Sequence, residues 1–337
     1  MAPKVKPKGP GIPKKDKEPS SSAETDREEL DDDTENDTGS SSFSKESTKG
    51  LPEYATTAPP NGKKGVPSMV RVPTSRMLVL FRSGEQMNKI FPDWTHKNFI
   101  EGKYHPTDMN HPVNLVNRKT PQVAFESDPP LTEMGTKLSE LSGRALAEAG
   151  IVVTSVYCSP SLHCVQTAHA LLKAQLYDLS IRIEPALYDY MGHQKGQDVP
   201  MFMTPSELAE NRIAVDKNYK PQMSVNSLKK YLQETPEEFF KRQSNAIYAL
   251  TKQSPNGTIL VVTHSFNMHA AGRSLVGRQA HTLAGADLLR VPFNYPYCSA
   301  IAFQPSPDGR WKVAPSAVPP LNFHHFSNRF NFHFFSR

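Results

Sequence analysis

A run of five apolar residues that leads directly into a polar loop constrains the fold of this chain more than any other feature. The run covers residues 77–81, and the loop after it reads Arg-Ser-Gly-Glu. Consecutive apolar residues suit a strand that is covered on both faces, and Gly84 lets the chain leave the sheet without a side chain in the way. We therefore predict a buried strand with a ligand-binding loop at its carboxyl end, where open α/β sheets gather ligands.

Two further predicted strands lead into a histidine. The strand at residues 154–157 is followed by a turn and by the helix that carries His163, and the apolar strand at residues 258–263 ends on His264. Together with Arg82, these side chains follow three strand ends. The carboxyl ends of strands in open α/β sheets are where ligands gather.

Helices alternate with the predicted strands. A helix is predicted from Thr132 to Ala149, with Gly150 as its stop and with an apolar face made by Leu138, Leu141, Ala145 and Leu146. Residues 181–187 alternate in polarity like a strand. This order predicts an α/β fold with a mostly parallel central sheet flanked by helices.

Local signals mark three more boundaries. Capping boxes at Thr204–Glu207 and Thr235–Glu238 each predict the start of a helix. Residues 299–303 and 311–313 read as a hairpin that turns through Asp308 and Gly309.

The three strand-end segments resemble the histidine phosphatase superfamily. In that family the first strand ends in Arg-His-Gly, a middle segment reads Ser-Pro-x-x-Arg-x-x-x-Thr-Ala, and a late strand ends in His. Residues 157–162, 164–169 and 205–209 are similar in sequence to the branch of the family that contains suppressor of T-cell receptor signalling and ecdysteroid-phosphate phosphatase. The resemblance spans residue 76 to the C-terminus and implies a phosphoglycerate mutase-like domain at residues 74–337.

This chain departs from the family pattern at three positions. Ser83 stands where the family has its nucleophilic His, and His163 stands where it has the second phosphate-binding Arg. Gln86 stands where the branch carries a basic residue. Arg82 and His264 match the pattern, so the resemblance implies that Arg82, His163 and His264 would bind phosphate.

The family also presents an acidic residue as proton donor to the leaving group. Asp189 follows the predicted strand at residues 181–187 and is the candidate for this role. A carboxylate serves as an acid only if its neighbours raise its pKa, and the other interpretation is an ordinary turn or cap residue.

A serine hydroxyl at position 83 cannot by itself take over the nucleophilic role of an imidazole. A hydroxyl needs an adjacent base or a metal to become a nucleophile, whereas a neutral imidazole is nucleophilic near neutral pH. We therefore predict a pseudophosphatase that acts by binding a phosphorylated small molecule, a phosphoprotein or another protein partner. The alternative is an active phosphohydrolase with His264 or an activated Ser83 as nucleophile.

Residues 1–73 have too little apolar surface to offset the entropy of ordering, which predicts a disordered arm. A lysine run, an acidic run and a Ser/Thr-rich run follow one another in it. They indicate a solvated polyampholyte, or else a nuclear-localisation or nucleic-acid patch followed by phosphorylation sites. A third functional hypothesis makes this arm the recruiting part of a scaffold.

Charge and hydropathy limit the partners. The net charge of +5 is modest for 337 residues and does not favour nucleic acid as a partner. No apolar run approaches the ~18–20 residues that span a bilayer, so no membrane partner is expected. We expect a cytoplasmic protein, with the nucleus as the alternative if the lysine run is a localisation signal.

No metal site and no cofactor are predicted. Residues 86–130 form a long insertion, of the kind that packs over a site, and its His96, His105 and His111 lack ligand spacing and partners. The cysteines Cys158, Cys164 and Cys298 fit reduced, buried thiols better than a disulfide framework. Six phenylalanines in residues 321–337 predict a covered surface, within the chain or between two copies of a homodimer.

Overall fold

The computed structural model describes residues 76–175, 178–192, 198–278, 285–315, 318–320, 322–323 and 326–327. The arm predicted at residues 1–73 lies outside this part of the chain. Most of the aromatic tail also lies outside it, and the homodimer predicted from that tail stays a prediction.

The described residues form ten strands, nine α-helices and two 3-10 helices. The strands are β1 (Met77–Arg82), β2 (Phe99–Ile100), β3 (Lys103–Tyr104), β4 (Val153–Cys158), β5 (Arg182–Ile183), β6 (Thr258–Thr263), β7 (Ala300–Pro305), β8 (Trp311–Val313), β9 (Asn322–Phe323) and β10 (Phe326–Ser327). The α-helices are α1 (Met87–Ile90), α2 (Trp94–Lys97), α3 (Pro121–Ser127), α4 (Glu133–Glu148), α5 (Leu162–Leu172), α6 (Pro205–Glu210), α7 (Pro236–Gln253), α8 (Ser265–Leu275) and α9 (Gly285–Asn294). The 3-10 helices are Pro185–Leu187 and Val225–Tyr231.

A six-stranded sheet in the order β5-β4-β6-β1-β7-β8 forms the centre of the described chain. Strands β5, β4, β6 and β1 are parallel to one another, whereas β7 pairs antiparallel with both β1 and β8. Arg82 pairs with Thr263 across β1 and β6. The predicted α/β class with a mostly parallel sheet is confirmed.

The central strand β1 is covered on both faces, as its apolar run predicts. Val79 and Phe81 pack into the core beneath α4 and α5, and Leu78 and Leu80 pack into the core beneath α7 and α8. All four side chains have no exposed surface. Because neighbouring side chains of a strand point to opposite faces, one unbroken apolar run serves both cores.

Helix α4 has the predicted position, but small residues line its most buried face. Gly135, Ser139, Ser142, Gly143 and Leu146 are buried there, whereas Leu138, Leu141 and Ala145 lie half-buried on its flanks. A Cβ atom on Gly143 would lie 2.4 Å from the backbone oxygen of Leu171 in α5. The apolar periodicity therefore located the helix but misplaced the centre of its contact.

The predicted caps and hairpin are confirmed. Both capping boxes form, with Thr204 and Thr235 each accepting a hydrogen bond from the backbone of the glutamate three residues later. Strands β7 and β8 pair antiparallel around the turn that contains Gly309, whose φ is 79°.

The strand predicted at residues 181–187 is wrong beyond Ile183. Pro185 has no N–H to give to a sheet, and the Glu184 side chain accepts a hydrogen bond from the Ala186 N–H at 2.9 Å. These two effects turn the chain into the 3-10 helix Pro185–Leu187. Asp189 therefore follows a helical turn rather than a strand.

The insertion at residues 86–130 contains three short helices and the hairpin of β2 and β3. It is less irregular than predicted, because aromatic side chains pack together within it: Trp94, Phe99, Tyr104 and Phe125. In the described part of the chain, no helix has the length and hydropathy needed to cross a membrane.

Candidate functional site

The polar loop after β1 lies at the carboxyl edge of the parallel strands. The Ser83 N–H donates to the Thr263 carbonyl at 3.0 Å, and the Ser83 carbonyl accepts from the Cys298 N–H at 3.3 Å. The Gly84 N–H donates to the Thr167 hydroxyl of α5 at 2.9 Å. The loop is thus tied to the end of β6, to α5 and to the segment before β7.

A cavity of about 770 Å³ opens at this edge. Its walls come from the insertion, from the start of α5, from the segment after the first 3-10 helix and from His264. The insertion therefore packs over the site, as predicted. The polar and charged lining residues are Gln86, Asn88, Lys89, Glu126, Ser127, Asp128, Ser161, His163, Asp189, Asp198 and His264.

His264 is the centre of a buried polar cluster. Its Nε2 lies 2.8 Å from the Ser159 hydroxyl and 3.7 Å from the Cys164 thiol. Its Nδ1 lies 3.5 Å from His163 Nε2 and 3.7 Å from an Asp189 carboxylate oxygen. The structure therefore brings together three residues predicted from the sequence, namely His163, Asp189 and His264.

Both histidines of the cluster are held in the neutral form. Burial, together with the positive charges of Arg82 and Arg242, lowers the pKa of His264 to about 3. Burial, with His264 as neighbour, lowers the pKa of His163 well below its ordinary value. An imidazole without charge can accept a proton or bind a metal, but it offers a phosphate no cation.

Asp189 has the environment that a candidate acid needs. Burial raises the pKa of its carboxyl above the ordinary value, while a hydrogen bond from the Tyr190 N–H and the charges of Arg82, Arg242 and Lys89 lower it. The Tyr190 N–H donates to the carboxylate at 2.9 Å.

The backbone around Asp189 is fixed by a buried ion pair. Arg242 pairs with Glu234 through two hydrogen bonds of 3.0 and 2.6 Å. Its remaining N–H groups donate to the carbonyls of Ala186, Tyr188 and Asp189 at 2.8–3.0 Å. Both side chains of the pair are almost without exposed surface.

Arg82 contacts the end of α9 rather than the cavity. Its guanidinium donates hydrogen bonds to the carbonyls of Pro292 and Tyr295, and it lies 4.1 Å from the ring centre of Tyr297. Among the described residues, the cavity lining does not include Arg82. Its charge still acts on Asp189, His163 and His264. Direct binding of a phosphate by Arg82 therefore stays a prediction.

Ser83 is buried and lies beside a thiol. Its residue exposure is 3%, and its hydroxyl is within hydrogen-bonding range of the Cys164 side chain. Glu85 faces elsewhere, because its carboxylate accepts hydrogen bonds from Asn110 and Thr132 at 2.9 and 2.8 Å. Burial raises the pKa of the Cys164 thiol well above its ordinary value, so the thiol is protonated.

Carboxylates outnumber cations along the described cavity lining. Glu126, Asp128, Asp189 and Asp198 face one lysine, Lys89. Asp128 pairs with Arg118 at 3.3 Å and accepts a hydrogen bond from the Leu162 N–H at 2.8 Å. Burial nevertheless raises the pKa of Asp128 to about 7.

Sequence reasoning missed three residues of this site. Lys89 lies in the four-residue helix α1. Arg242 stands among the apolar positions of α7, where an arginine could have indicated a buried ion pair. Cys164 follows His163 directly but was considered only as a buried thiol. The search for metal ligands covered the histidines of the insertion, whereas His163, Cys164 and His264 each place one ligand atom within 4.8 Å of the others.

Comparison with known proteins gives consistent matches. The family described as histidine phosphatase superfamily (branch 1) matches residues 111–304. Ecdysteroid-phosphate phosphatase of Drosophila melanogaster is 34% identical over 249 residues, which are 73% of this chain and 32% of that protein. Ubiquitin-associated and SH3 domain-containing protein B of Mus musculus is 32% identical over 260 residues, which are 74% of this chain and 40% of that protein.

A solved structure matches over nearly its whole length. The crystal structure of the ecdysone phosphate phosphatase from Bombyx mori in complex with tungstate superposes with a TM-score of 0.63 and 27% identity. The match covers 77% of this chain and 98% of that one. The chain thus spans about a third to two fifths of the length of the two curated relatives, but nearly all of this solved structure.

Proposed function

We propose that this chain, which belongs to the histidine phosphatase superfamily and has its phosphoglycerate mutase-like fold, is a pseudophosphatase. In this proposal its cavity binds a phosphorylated small molecule or a phosphoprotein and hydrolyses it very slowly. Two of the three relatives reported above are phosphatases by name, and the solved structure of one of these two holds tungstate, an oxyanion of phosphate-like charge. We thus expect this chain to bind the same kind of ligand as those phosphatases but to hydrolyse it far more slowly.

The surroundings of Ser83 carry this proposal. Its hydroxyl faces the protonated thiol of Cys164, and Glu85 is held by Asn110 and Thr132. A hydroxyl without a base is a poor nucleophile. Removal of the nucleophile costs about 10⁶-fold in kcat in a well-studied hydrolase, so a loss of that order is expected here.

Weaker binding of the anion acts in the same direction. His163 is neutral, and the guanidinium of Arg82 is engaged by two carbonyls. A charge-assisted hydrogen bond is worth about 1.5–3 kcal/mol, so losing two of them weakens phosphate binding by about 10²–10⁴-fold. Lys89 provides a compensating charge on the wall of the cavity.

The second candidate is an active phosphohydrolase, and the neutral His264 is the observation that favours it. Its imidazole faces the cavity, and Asp189 could donate a proton to the leaving group. However, His264 Nε2 is hydrogen-bonded to Ser159, and an attack on phosphorus would have to break that bond.

An assay with an aryl phosphate separates the two candidates. We expect wild type and His264→Ala to release phosphate at the same low rate. The triple variant Ser83→His, Gln86→Arg, His163→Arg restores the family pattern and is expected to gain turnover over wild type. Arg144→Ala, at an exposed position of α4, is the matched control.

Robust turnover by wild type that disappears in His264→Ala would contradict the pseudophosphatase. Rapid quenching followed by mapping of the phosphorylated residue would then identify the nucleophile. Calorimetric titration of the full chain with inorganic phosphate measures binding separately. No heat at millimolar phosphate would remove the proposed ligand class while leaving the catalytic conclusion in place.

A further inference from the structure

His163, Cys164 and His264 make a compact set of metal-ligand side chains, and His163 and His264 line the cavity. All three are buried, with exposures of 5%, 0% and 7%. His163 and Cys164 lie in the first turn of α5, and His264 directly follows β6. The position of each side chain is therefore fixed by the sheet edge rather than by a mobile loop.

The spacing of the ligand atoms suits a tetrahedral cation. Zn–N bonds of about 2.0–2.1 Å and Zn–S bonds of about 2.3 Å place neighbouring ligand atoms about 3.3–3.6 Å apart. His163 Nε2 lies 3.5 Å from His264 Nδ1, and Cys164 Sγ lies 3.7 Å from His264 Nε2. Since a cation uses one nitrogen of His264, small side-chain shifts complete the set, whose ligand atoms already lie within 4.8 Å of one another.

We propose that His163, Cys164 and His264 form a three-ligand site for Zn²⁺ beside the cavity. Two imidazoles and a thiolate are ligands that Zn²⁺ prefers, and three protein ligands leave a fourth position open toward the cavity. On binding, the Cys164 thiol gives up its proton to solvent and its sulfur forms the bond to the metal. This proposal does not depend on the proposed function.

Partners for the unused histidine nitrogen are in place on either side. Ser159 faces His264 Nε2 at 2.8 Å, and Asp189 faces His264 Nδ1 at 3.7 Å. Histidines that bind a metal usually donate their other N–H to a carboxylate or another oxygen, which fixes the ring. Whichever nitrogen of His264 binds the cation, the other one has an oxygen within reach.

The change at position 163 also favours a cation. The family pattern has an arginine at position 163, and a guanidinium cannot ligate a metal and repels it. The exchange of that arginine for His163 therefore removes a positive charge and adds a ligand at the same position.

Titration of the metal-free full chain with Co²⁺ tests the site. Cobalt takes up tetrahedral zinc sites, and a bond to thiolate gives an intense near-ultraviolet absorption that histidine ligands alone do not give. We expect one equivalent of Co²⁺ per chain with this absorption, and its displacement by Zn²⁺. Loss of outer-shell partners alone costs about 10–100-fold in metal affinity, so we expect Cys164→Ser and His163→Arg each to weaken binding by more than about 100-fold.

Two controls keep the test decisive. Cys298→Ser removes another buried thiol, and His169→Ala removes another histidine of α5, and both are expected to bind like wild type. Circular dichroism checks the fold of every variant. His163→Arg restores the residue of the family pattern, and in His163→Gln the new side chain is close to histidine in size. If Cys164→Ser does not fold, one of these two variants still shows whether residue 163 binds the metal.

The proposal is overturned if wild type shows no thiolate absorption with Co²⁺. It is also overturned if the absorption survives Cys164→Ser or if His163→Arg binds as tightly as wild type. These readouts are independent of phosphate release, so a failed metal site leaves the pseudophosphatase untouched.

Discussion

Arg242 is the residue on which the geometry of the candidate acid depends. Its guanidinium joins the Glu234 carboxylate to three carbonyls in residues 186–189, and Glu234 also accepts a hydrogen bond from the Met191 N–H at 3.0 Å. The planar donor fork of arginine makes these contacts at once, which a lysine cannot do. The pair therefore positions Asp189, although neither Arg242 nor Glu234 is among the described residues that line the cavity.

Replacement of Arg242 by methionine is expected to destabilise the protein by about 3–5 kcal/mol. The substitution leaves the Glu234 carboxylate buried without its cation, and breaking a buried ion pair in this way has a cost of that size. Urea denaturation followed by circular dichroism measures the free energy of unfolding.

The double variant Arg242→Met, Glu234→Gln is the control, because it removes the unpaired charge. It should recover part of the lost stability. A loss below about 0.5 kcal/mol in Arg242→Met would show that the pair does not hold the 186–189 segment.

The same scale shows why the candidate site was only partly predictable. Arg82, His163 and His264 could be found because each follows a strand or opens a helix in an obvious local pattern. The partners of Arg82 are carbonyls more than 200 residues further along the chain, and no local pattern indicates them. Cys164 belongs to a segment that resembles the family, but only the fold shows that it faces His264.

At the scale of elements, the contact between α4 and α5 determines how closely the helices flank the site. Gly143 in α4 lies against the backbone of Leu171 in α5, and Gly135 at the start of α4 lies against the backbone of Glu85. Small residues on one helix face let two backbones approach each other. The first turn of α5, which carries His163 and Cys164, belongs to the same close-packed unit.

Gly143→Ala is expected to destabilise the protein by about 1–3 kcal/mol, although alanine favours a helix over glycine. The new Cβ would lie 2.4 Å from the Leu171 carbonyl oxygen, so the helices must move apart. Thermal unfolding monitored by circular dichroism measures the change. Arg144→Ala, exposed on the next position of α4, should be close to neutral, and a stabilised Gly143→Ala would contradict the close contact.

Elements with strong local signals were predicted well, and those set by distant partners were not. The strands β1, β4 and β6, both capping boxes and the β7–β8 hairpin follow from apolar runs, caps and turn residues. Strand β5 was predicted too long, because alternation in polarity does not show that the Glu184 carboxylate accepts a hydrogen bond from the Ala186 N–H. The buried face of α4 was misplaced because its partner, the backbone of α5, makes small residues preferable to leucine.

For the molecule as a whole, burial of Asp128 links stability to pH. The folded pKa of about 7 lies above the ordinary value of 3.8, so between these values the folded chain holds a proton that the unfolded chain has lost. The contribution of this group to the free energy of unfolding is therefore largest at low pH. It declines as pH rises toward 7 and is constant above that.

The difference in stability between wild type and Asp128→Asn is therefore expected to change with pH. Wild type should lose stability relative to the variant between pH 5 and pH 8, by on the order of 2–4 kcal/mol. Urea denaturation at several pH values measures both proteins, and the contribution of the neutral histidines is common to them. Parallel curves would show that Arg118 keeps the Asp128 carboxylate ionised throughout.

The antiparallel strand beside β1 has a consequence for how such a site can diverge. Segments that follow the parallel strands line the cavity, but the residues around Tyr295 and Cys298 reach this edge just before β7 begins. Changes in the length of that incoming segment would leave strand pairing intact and still relocate the groups that engage the first strand's arginine. In proteins of this architecture we therefore expect that changes in the segment before β7 can alter ligand preference, although this segment carries no motif at the end of a strand.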